Sequence, residues 1–290
     1  MIYLRLAGGL GNQLFQLAAA THLSVLTNDR VTLVHDGLSR YASARNSESV
    51  RLLTSEFLKD FDNLPRSHPW SLLLDRSRLG RWLPVWGVND ATFSQVGSGV
   101  RRLPKGSLFM DGYFQSGWRL ENLMSAAMRM RGALIHPEHL TDKTSRTLLL
   151  HIRGGDFLKV PLHQVVDLGY YEHAVREMIQ AGGVFDRCLC VTDDHGHASS
   201  LLHALRETVD LPEVVIRMPA QDPLEDFRLI SAHPWRIIGN STFSWWAALL
   251  GRHDGLLISP KQFTRERDRD LCLPFERLLD QRLNWRPAHP

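Results

Sequence analysis

Cysteine is scarce: the chain has three in 290 residues. Cys188 and Cys190 share one predicted strand, with both thiols on one face as packing, so no disulfide framework can form and a reducing compartment is expected. Long hydrophobic runs are missing as well, and no stretch approaches the ~20 apolar residues of a membrane span. The opening Met1-Ile2-Tyr3-Leu4-Arg5-Leu6 passes straight into a glycine turn, without the basic start and apolar core of a secretion signal. These absences predict a cytoplasmic protein with at most peripheral contact at the inner face of the membrane, a catalytic unit without stalk or anchor. Charge of one sign is also lacking. The 34 basic and 31 acidic residues leave +3, too little to argue for nucleic acid though compatible with an anionic ligand. There is no internal repeat and no low-complexity tract. With 43% hydrophobic and 22% charged residues, the chain has room for two modest α/β domains or one large one.

The stretch around which the rest is organised is Leu148-Leu149-Leu150-His151-Ile152-Arg153-Gly154-Gly155-Asp156-Phe157. Its apolar run predicts a strand buried on both faces. A buried His or Arg is costly unless paired, which places His151 and Arg153 where the strand emerges. In open α/β sheets that carboxyl end is where ligands bind. Asp156 can fix the arginine or cap the next segment of chain.

The first half begins with a strand over 2–6, the turn Gly8-Gly9-Leu10-Gly11-Asn12-Gln13 and a helix over 14–26. The turn is not a dinucleotide fingerprint, because Leu14 stands at the third glycine position. Asn12 and Gln13 instead offer side-chain amides to a sugar at the helix mouth. A second strand is expected over 31–34. Residues 36–102 have no clear period and are expected to form helices and long loops. Ser107-Leu108-Phe109-Met110 predicts a strand running into Asp111-Gly112-Tyr113-Phe114-Gln115-Ser116, with a helix to about residue 131. The polar stretch from His136 to Arg146 is taken as the linker between an N-terminal domain, 1–140, and a C-terminal domain, 147–290.

The second half alternates strands over 148–152, 188–191, 214–216, 237–239 and 256–258 with helical patterns, which implies a parallel sheet with helices on both faces. The charge run 265–270 is expected as a solvated loop or helix start. The amphipathic stretch 271–283 is expected as a last helix that packs back on the first domain.

Polar residues close each strand: His151 and Arg153, then Thr192-Asp193-Asp194, then Asn240-Ser241-Thr242-Phe243-Ser244. Arg153 can hold a phosphate bidentately and carry the charge that a metal would otherwise neutralise. Ser241, Thr242 and Ser244 open the helix containing Trp245-Trp246, so hydroxyls, backbone N–H groups and the positive helix end can face one anion. A single serine there can equally serve only as a cap. Asp193-Asp194-His195-Gly196-His197 has the residue types of a metal site, but adjacent aspartates at a strand end diverge, and a loop cap or ribose contact is the simpler reading. Asp226 falls on a helix, by default as a solvated acid. Trp245 and Trp246 are expected in the core.

Taken in order, the motifs beginning Gly8-Gly9-Leu10-Gly11-Asn12-Gln13, Asp111-Gly112-Tyr113, His151-Ile152-Arg153, Tyr170-Tyr171, Thr192-Asp193-Asp194 and Asn240-Ser241-Thr242-Phe243-Ser244 resemble the α-1,2-fucosyltransferases of glycosyltransferase family 11. The resemblance implies a GT-B-like α/β fold of two Rossmann-type domains with parallel sheets facing across a cleft. It implies an acceptor-side first domain and a second that binds the donor, GDP-β-L-fucose. It also implies metal-independent, inverting transfer to the 2-hydroxyl of a terminal galactose in an oligosaccharide or lipid-linked glycan, with no cofactor. On this likeness His151, Arg153 and Asp156 are the family's histidine, diphosphate-binding arginine and acid. Ser241, Thr242 and Ser244 contact phosphate, Asp226 is linked with guanine recognition, and Asn12 faces fucose or acceptor. Gly154 stands where the family usually carries a second arginine; either that arginine's role is structural and dispensable, or another base such as Arg5 or Lys159 stands in. Asp156 and Asp111 are the candidates for the base that takes the acceptor proton. A GT-B transferase of another linkage or donor, and an inactive sugar-nucleotide-binding protein, are the alternative readings.

Overall fold

The computed structural model describes residues 1–34, 62–64, 85–97, 103, 106–136, 138, 140, 144–155, 157–220 and 222–281. The chain divides into two compact units, Met1–Leu134 and Ile135–Pro290, each with a parallel sheet.

In the first unit the strands are β1 (Ile2–Arg5), β2 (Val31–Val34), β3 (Asp62–Leu64), β4 (Val85–Val88) and β5 (Ser107–Met110), in the order β3-β2-β1-β5-β4. Ile2, Leu4, Leu33, Leu108 and Met110 are buried; β2 is buried throughout, whereas β1 and β5 alternate buried with half-buried residues. Strands β3 and β4 lie inside the stretch expected to hold helices and loops. Both are short edge strands, and β4 leaves Trp86 half exposed, so no continuous apolar run marks it. The first helix, α1, runs Leu10–Thr27 and so begins four residues earlier than its apolar period suggests. Gly11, Asn12 and Gln13 therefore form its first turn rather than a preceding loop. Gly8, at φ +78°, makes the bend that permits this, and Gly9 occupies the N-cap without a side-chain bond.

In the second unit β6 (Thr147–Ile152), β7 (Arg187–Thr192), β8 (Glu213–Arg217), β9 (Trp235–Ile238), β10 (Leu257–Pro260) and β13 (Glu276–Leu279) form a six-stranded parallel sheet in the order β13-β10-β9-β6-β7-β8. Helices Leu168–Gln180, His195–Arg206, Pro223–Ala232 and Thr242–Leu250 alternate with the strands. Leu148, Leu150 and Ile152 pack with Tyr170, Tyr171, Val175 and Met178. Cys188 and Cys190 lie in that same cluster, and burial pushes the Cys190 thiol up to about 12. Trp245 and Trp246 are buried, as their apolar neighbours imply.

Two local expectations are corrected. Where a closing helix was expected over 271–283, the described residues carry edge strand β13, whose register sets Leu278 beside Ser259. The charge run 265–270 is not simply solvated. Two short strands, β11 (Gln262–Thr264) and β12 (Arg267–Asp268), pair antiparallel, and the Arg269 side chain is buried against Glu276. Arg265, Glu266, Arg267 and Asp270 are exposed as expected, and Arg269 with Glu276 is the internal ion pair.

Candidate functional site

Register determines what meets at the carboxyl edge of the second sheet. On β6, Ile152 lies opposite Thr192 and His151 opposite Ile238. The chains therefore leave the sheet side by side, and Arg153, Asp193 and Asn240 emerge on one edge, the position where such sheets place ligands.

Arg153 is fixed there. Its Nη1 lies 2.6 Å from Asp193 Oδ2, and its guanidinium sits 5.2 Å from the centre of the Phe157 ring. The other oxygen of Asp193 accepts the Gly154 N–H at 2.8 Å. Asp194 accepts the Gly155 N–H at 3.2 Å and the His197 N–H at 3.1 Å, capping the helix His195–Arg206. These backbone donors hold its carboxyl below the usual carboxylate range. The adjacent aspartates therefore serve one turn rather than diverging, because both have already left the strand. Among the described residues, no group of three or more His, Cys, Asp and Glu is placed to hold a metal ion.

His151 is almost wholly buried, and burial, reinforced by the positive charge of Arg153, pushes its pKa down to about 3. The ring is neutral at ordinary pH, beside Phe243 at 6.1 Å between ring centres. The Tyr170 hydroxyl donates to the Ile238 carbonyl at 2.5 Å and that of Tyr171 to the His151 carbonyl at 3.5 Å, tying the helix Leu168–Gln180 to two strand ends.

The Asn240–Ser244 segment divides into structural and available groups. Asn240 is buried and donates to the carbonyls of His163 and Phe263, at 3.1 and 2.9 Å. Ser244 is fully buried, its hydroxyl donating back to the Ser241 carbonyl at 3.3 Å. Phe243 packs edge-on against Phe227. Ser241 occupies the N-cap of the helix Thr242–Leu250 and makes no side-chain cap bond, and a helix N-terminus carries backbone N–H groups of the kind that suit an anion.

Asp226 is not the solvated acid expected by default. It is buried on the helix Pro223–Ala232, and accepts Arg217 Nε at 2.8 Å and the Ala220 N–H at 3.1 Å. Sequence reasoning missed Arg217, although it ends β8 much as Arg153 follows β6.

In the first unit the mouth of α1 is built by amides. Gln115 donates to Asn12 Oδ1 at 2.9 Å, and Gln13, buried, donates to the Gly8 carbonyl at 2.9 Å. Gln16 accepts from the Ala7 N–H and donates to the Gly112 carbonyl. Arg5 pairs with the largely exposed Asp111 at 3.2 Å. Asp90, unsuspected from the sequence, accepts the N–H groups of Tyr113 and Phe114, the latter at φ +52°. Asn89 opens the helix Asp90–Gly97 by accepting the Thr92 N–H, which marks the helix start but not the partners of Asp90. Gly11 sits buried in the first turn of α1. Asp156 lies outside the described residues.

Two parallel-sheet units, the second with this polar edge, make a GT-B-like fold. The description "Glycosyl transferase family 11" matches residues 108–271, and the chain belongs to that family. An Escherichia coli relative, "O-antigen biosynthesis glycosyltransferase WbnK", is 25% identical over 293 residues, covering 90% of this chain and 94% of its own length. Among solved structures, an Arabidopsis thaliana FUT1 variant in complex with GDP superposes with a TM-score of 0.50 at 13% identity, over 86% of this chain and 68% of that one. The Bradyrhizobium NodZ α-1,6-fucosyltransferase, soaked with GDP-fucose, gives a TM-score of 0.50 at 15% identity, over 86% and 92%. At these identities the structures show the shared fold. Among the described residues no helix is long and apolar enough to cross a membrane.

Proposed function

We propose that this glycosyltransferase moves L-fucose from GDP-β-L-fucose to the 2-hydroxyl of a terminal galactose, with inversion and without a metal ion or other cofactor. The observation that carries the reading is Arg153, held at 2.6 Å by Asp193 on the sheet edge shared with Asn240 and the N-terminus of the helix Thr242–Leu250. A guanidinium preset beside backbone donors meets the negative charge that grows on a departing diphosphate, the task a divalent cation performs in other transferases. The reaction is one displacement at the anomeric carbon through an oxocarbenium-like state, so the configuration inverts. Asp226, anchoring Arg217 and the Ala220 backbone, shapes the guanine end of the donor site. Asn12, fixed through Gln115, orients fucose or acceptor from the first unit. Asp111 and Asp156 are the carboxylates we assign as candidates for relieving the acceptor hydroxyl of its proton.

The E. coli relative's name, with its O-antigen biosynthesis, favours a surface polysaccharide as acceptor, and the proposed linkage requires a galactose end on it, free or lipid-linked. Such a substrate suits a cytoplasmic enzyme with at most peripheral contact at the inner membrane face. The test is incubation with GDP-fucose and lactose in EDTA, with the product linkage read by NMR. Fucose on the 2-hydroxyl of galactose is the expected outcome. Transfer elsewhere, transfer only with added metal, or donor binding without transfer overturns the reading.

A further inference from the structure

We propose that Glu276 and Arg269, a buried ion pair on the far flank of the second sheet, are positioning residues that hold the donor-binding segment Asn240–Ser244 in place from inside the fold. This rests on the donor site proposed above.

Glu276 lies on edge strand β13 with its side chain fully buried. Its Oε1 accepts Ser259 Oγ at 2.5 Å and Arg269 Nη1 at 3.2 Å. Its Oε2 accepts the Leu273 N–H at 2.9 Å and the Trp245 indole N–H at 3.4 Å. Arg269 in turn donates from Nη2 to the Gly239 carbonyl at 3.3 Å, and its own backbone N–H is fixed on the Lys261 carbonyl at 2.8 Å. The pair thus grips the residue just before Asn240 and the residue just after Ser244. The Tyr170 hydroxyl on the Ile238 carbonyl and the Asn240 amide on the His163 and Phe263 carbonyls complete the fixing of the same stretch.

Stability alone does not account for such a pair. Desolvating two charges costs about as much as their attraction returns, and apolar pairs of similar volume often do as well or better. Arg269 even keeps a buried Nε without a hydrogen-bond partner, and burial lowers its pKa against the opposing pull of Glu276. What an apolar pair cannot do is anchor a carbonyl at one end of a segment and an indole N–H at the other. Donor sites need that order, because a misplacement of about 1 Å in a binding group is costly.

The experiment compares the intact chain with the double variant Glu276→Met/Arg269→Met. The variant is expected to melt below the parent, because Ser259, Leu273, Trp245 and Gly239 lose a partner, so the readout is where the loosening falls. Its amides over 239–245 should exchange faster, those of β6 should be unchanged, and GDP should bind about tenfold more weakly by calorimetry. Unchanged exchange and affinity overturn the proposal, and so does loosening spread evenly over the sheet. Should the double variant not fold, Trp245→Phe leaves the pair intact and removes one anchor. Faster exchange around Ser244 and about threefold weaker GDP binding are then expected, and no change in either overturns the proposal. If the parent chain itself does not bind GDP, the donor reading falls, while the exchange comparison still decides whether the pair fixes the segment.

Discussion

A Cβ placed on Gly154 would lie 2.4 Å from Cβ of Asp194, closer than two such carbons can approach. The family resemblance leads one to expect a second arginine at this position, and here the turn 192–194 packs directly against the main chain instead. Asp194 cannot easily move aside, since it holds the Gly155 N–H and caps the helix His195–Arg206. Arg5 belongs to the first unit and pairs with Asp111, while Lys159 closes an exposed turn, Phe157–Lys159.

The close contact makes a prediction opposite to simple restoration of the motif. Gly154→Ala should cost about 1–3 kcal/mol of stability by overpacking, Gly154→Arg at least as much, and neither should tighten GDP binding. In an Asp194→Gly background the cost of Gly154→Ala should shrink by about 1 kcal/mol or more, a coupling measurable by urea denaturation of the four chains. Additive costs would show that the contact with Asp194 is not the cause.

Arg153→Ala should lower kcat by on the order of 100-fold, if its charge is used chiefly as the donor bond breaks. Asp193→Asn keeps an acceptor for the Gly154 N–H but removes the ion pair at Arg153. It should mainly raise the donor KM, by about tenfold, because the guanidinium is less well held. Steady-state kinetics with GDP-fucose separates the two, and a normal kcat in Arg153→Ala would refute the role given to that residue.

The two serines of the Asn240–Ser244 segment should behave differently. Ser241 stands at an uncapped helix mouth, whereas Ser244 is fully buried and bonded to the Ser241 carbonyl. Ser241→Ala should weaken GDP binding severalfold with little change in melting temperature. Ser244→Ala should lower stability by about 1 kcal/mol with little change in affinity. Calorimetry and thermal melts on both variants check this, and the reverse pattern would place Ser244 in the donor site.

The sequence made the second unit legible because its central parallel strands are continuous apolar runs closed by polar residues, although His151, expected where its strand emerges, is buried within β6, and Asn240 is buried beyond β9. His151, Arg153, Asp193 and Asn240 were found by that boundary alone. Their division of labour was not legible. Whether a serine faces a ligand or bonds its own helix, or whether Asp226 is solvated or pinned to Arg217, depends on neighbours distant in the chain. The strand at Glu276–Leu279 was taken for a helix because its glutamate is neutralised by Arg269, a partner that alternation patterns do not reveal. Strand β4 escaped because an edge strand needs no second apolar face, and Asp90 because its partners, the N–H groups of Tyr113 and Phe114, carry no sequence signature.

Two neutral buried histidines make the second unit sensitive to acid. Burial pushes His151 down to about 3, and burial pushes His233 down to about 4, even though its Nδ1 lies 2.7 Å from the Leu229 carbonyl. In the unfolded chain both take up a proton near 6.5, so below that pH the unfolded state binds more protons and gains on the folded one. The stability these groups supply is complete above about pH 6.5 and falls by roughly 1.4 kcal/mol per pH unit for each, until pH reaches the folded value. At pH 5 each should cost about 2 kcal/mol relative to pH 7. His233→Gln keeps a donor for the Leu229 carbonyl but does not titrate. Urea denaturation at pH 7 and pH 5 should therefore show a loss about 2 kcal/mol smaller in this variant than in the parent. An equal loss in both chains would mean that His233 is already charged in the folded protein.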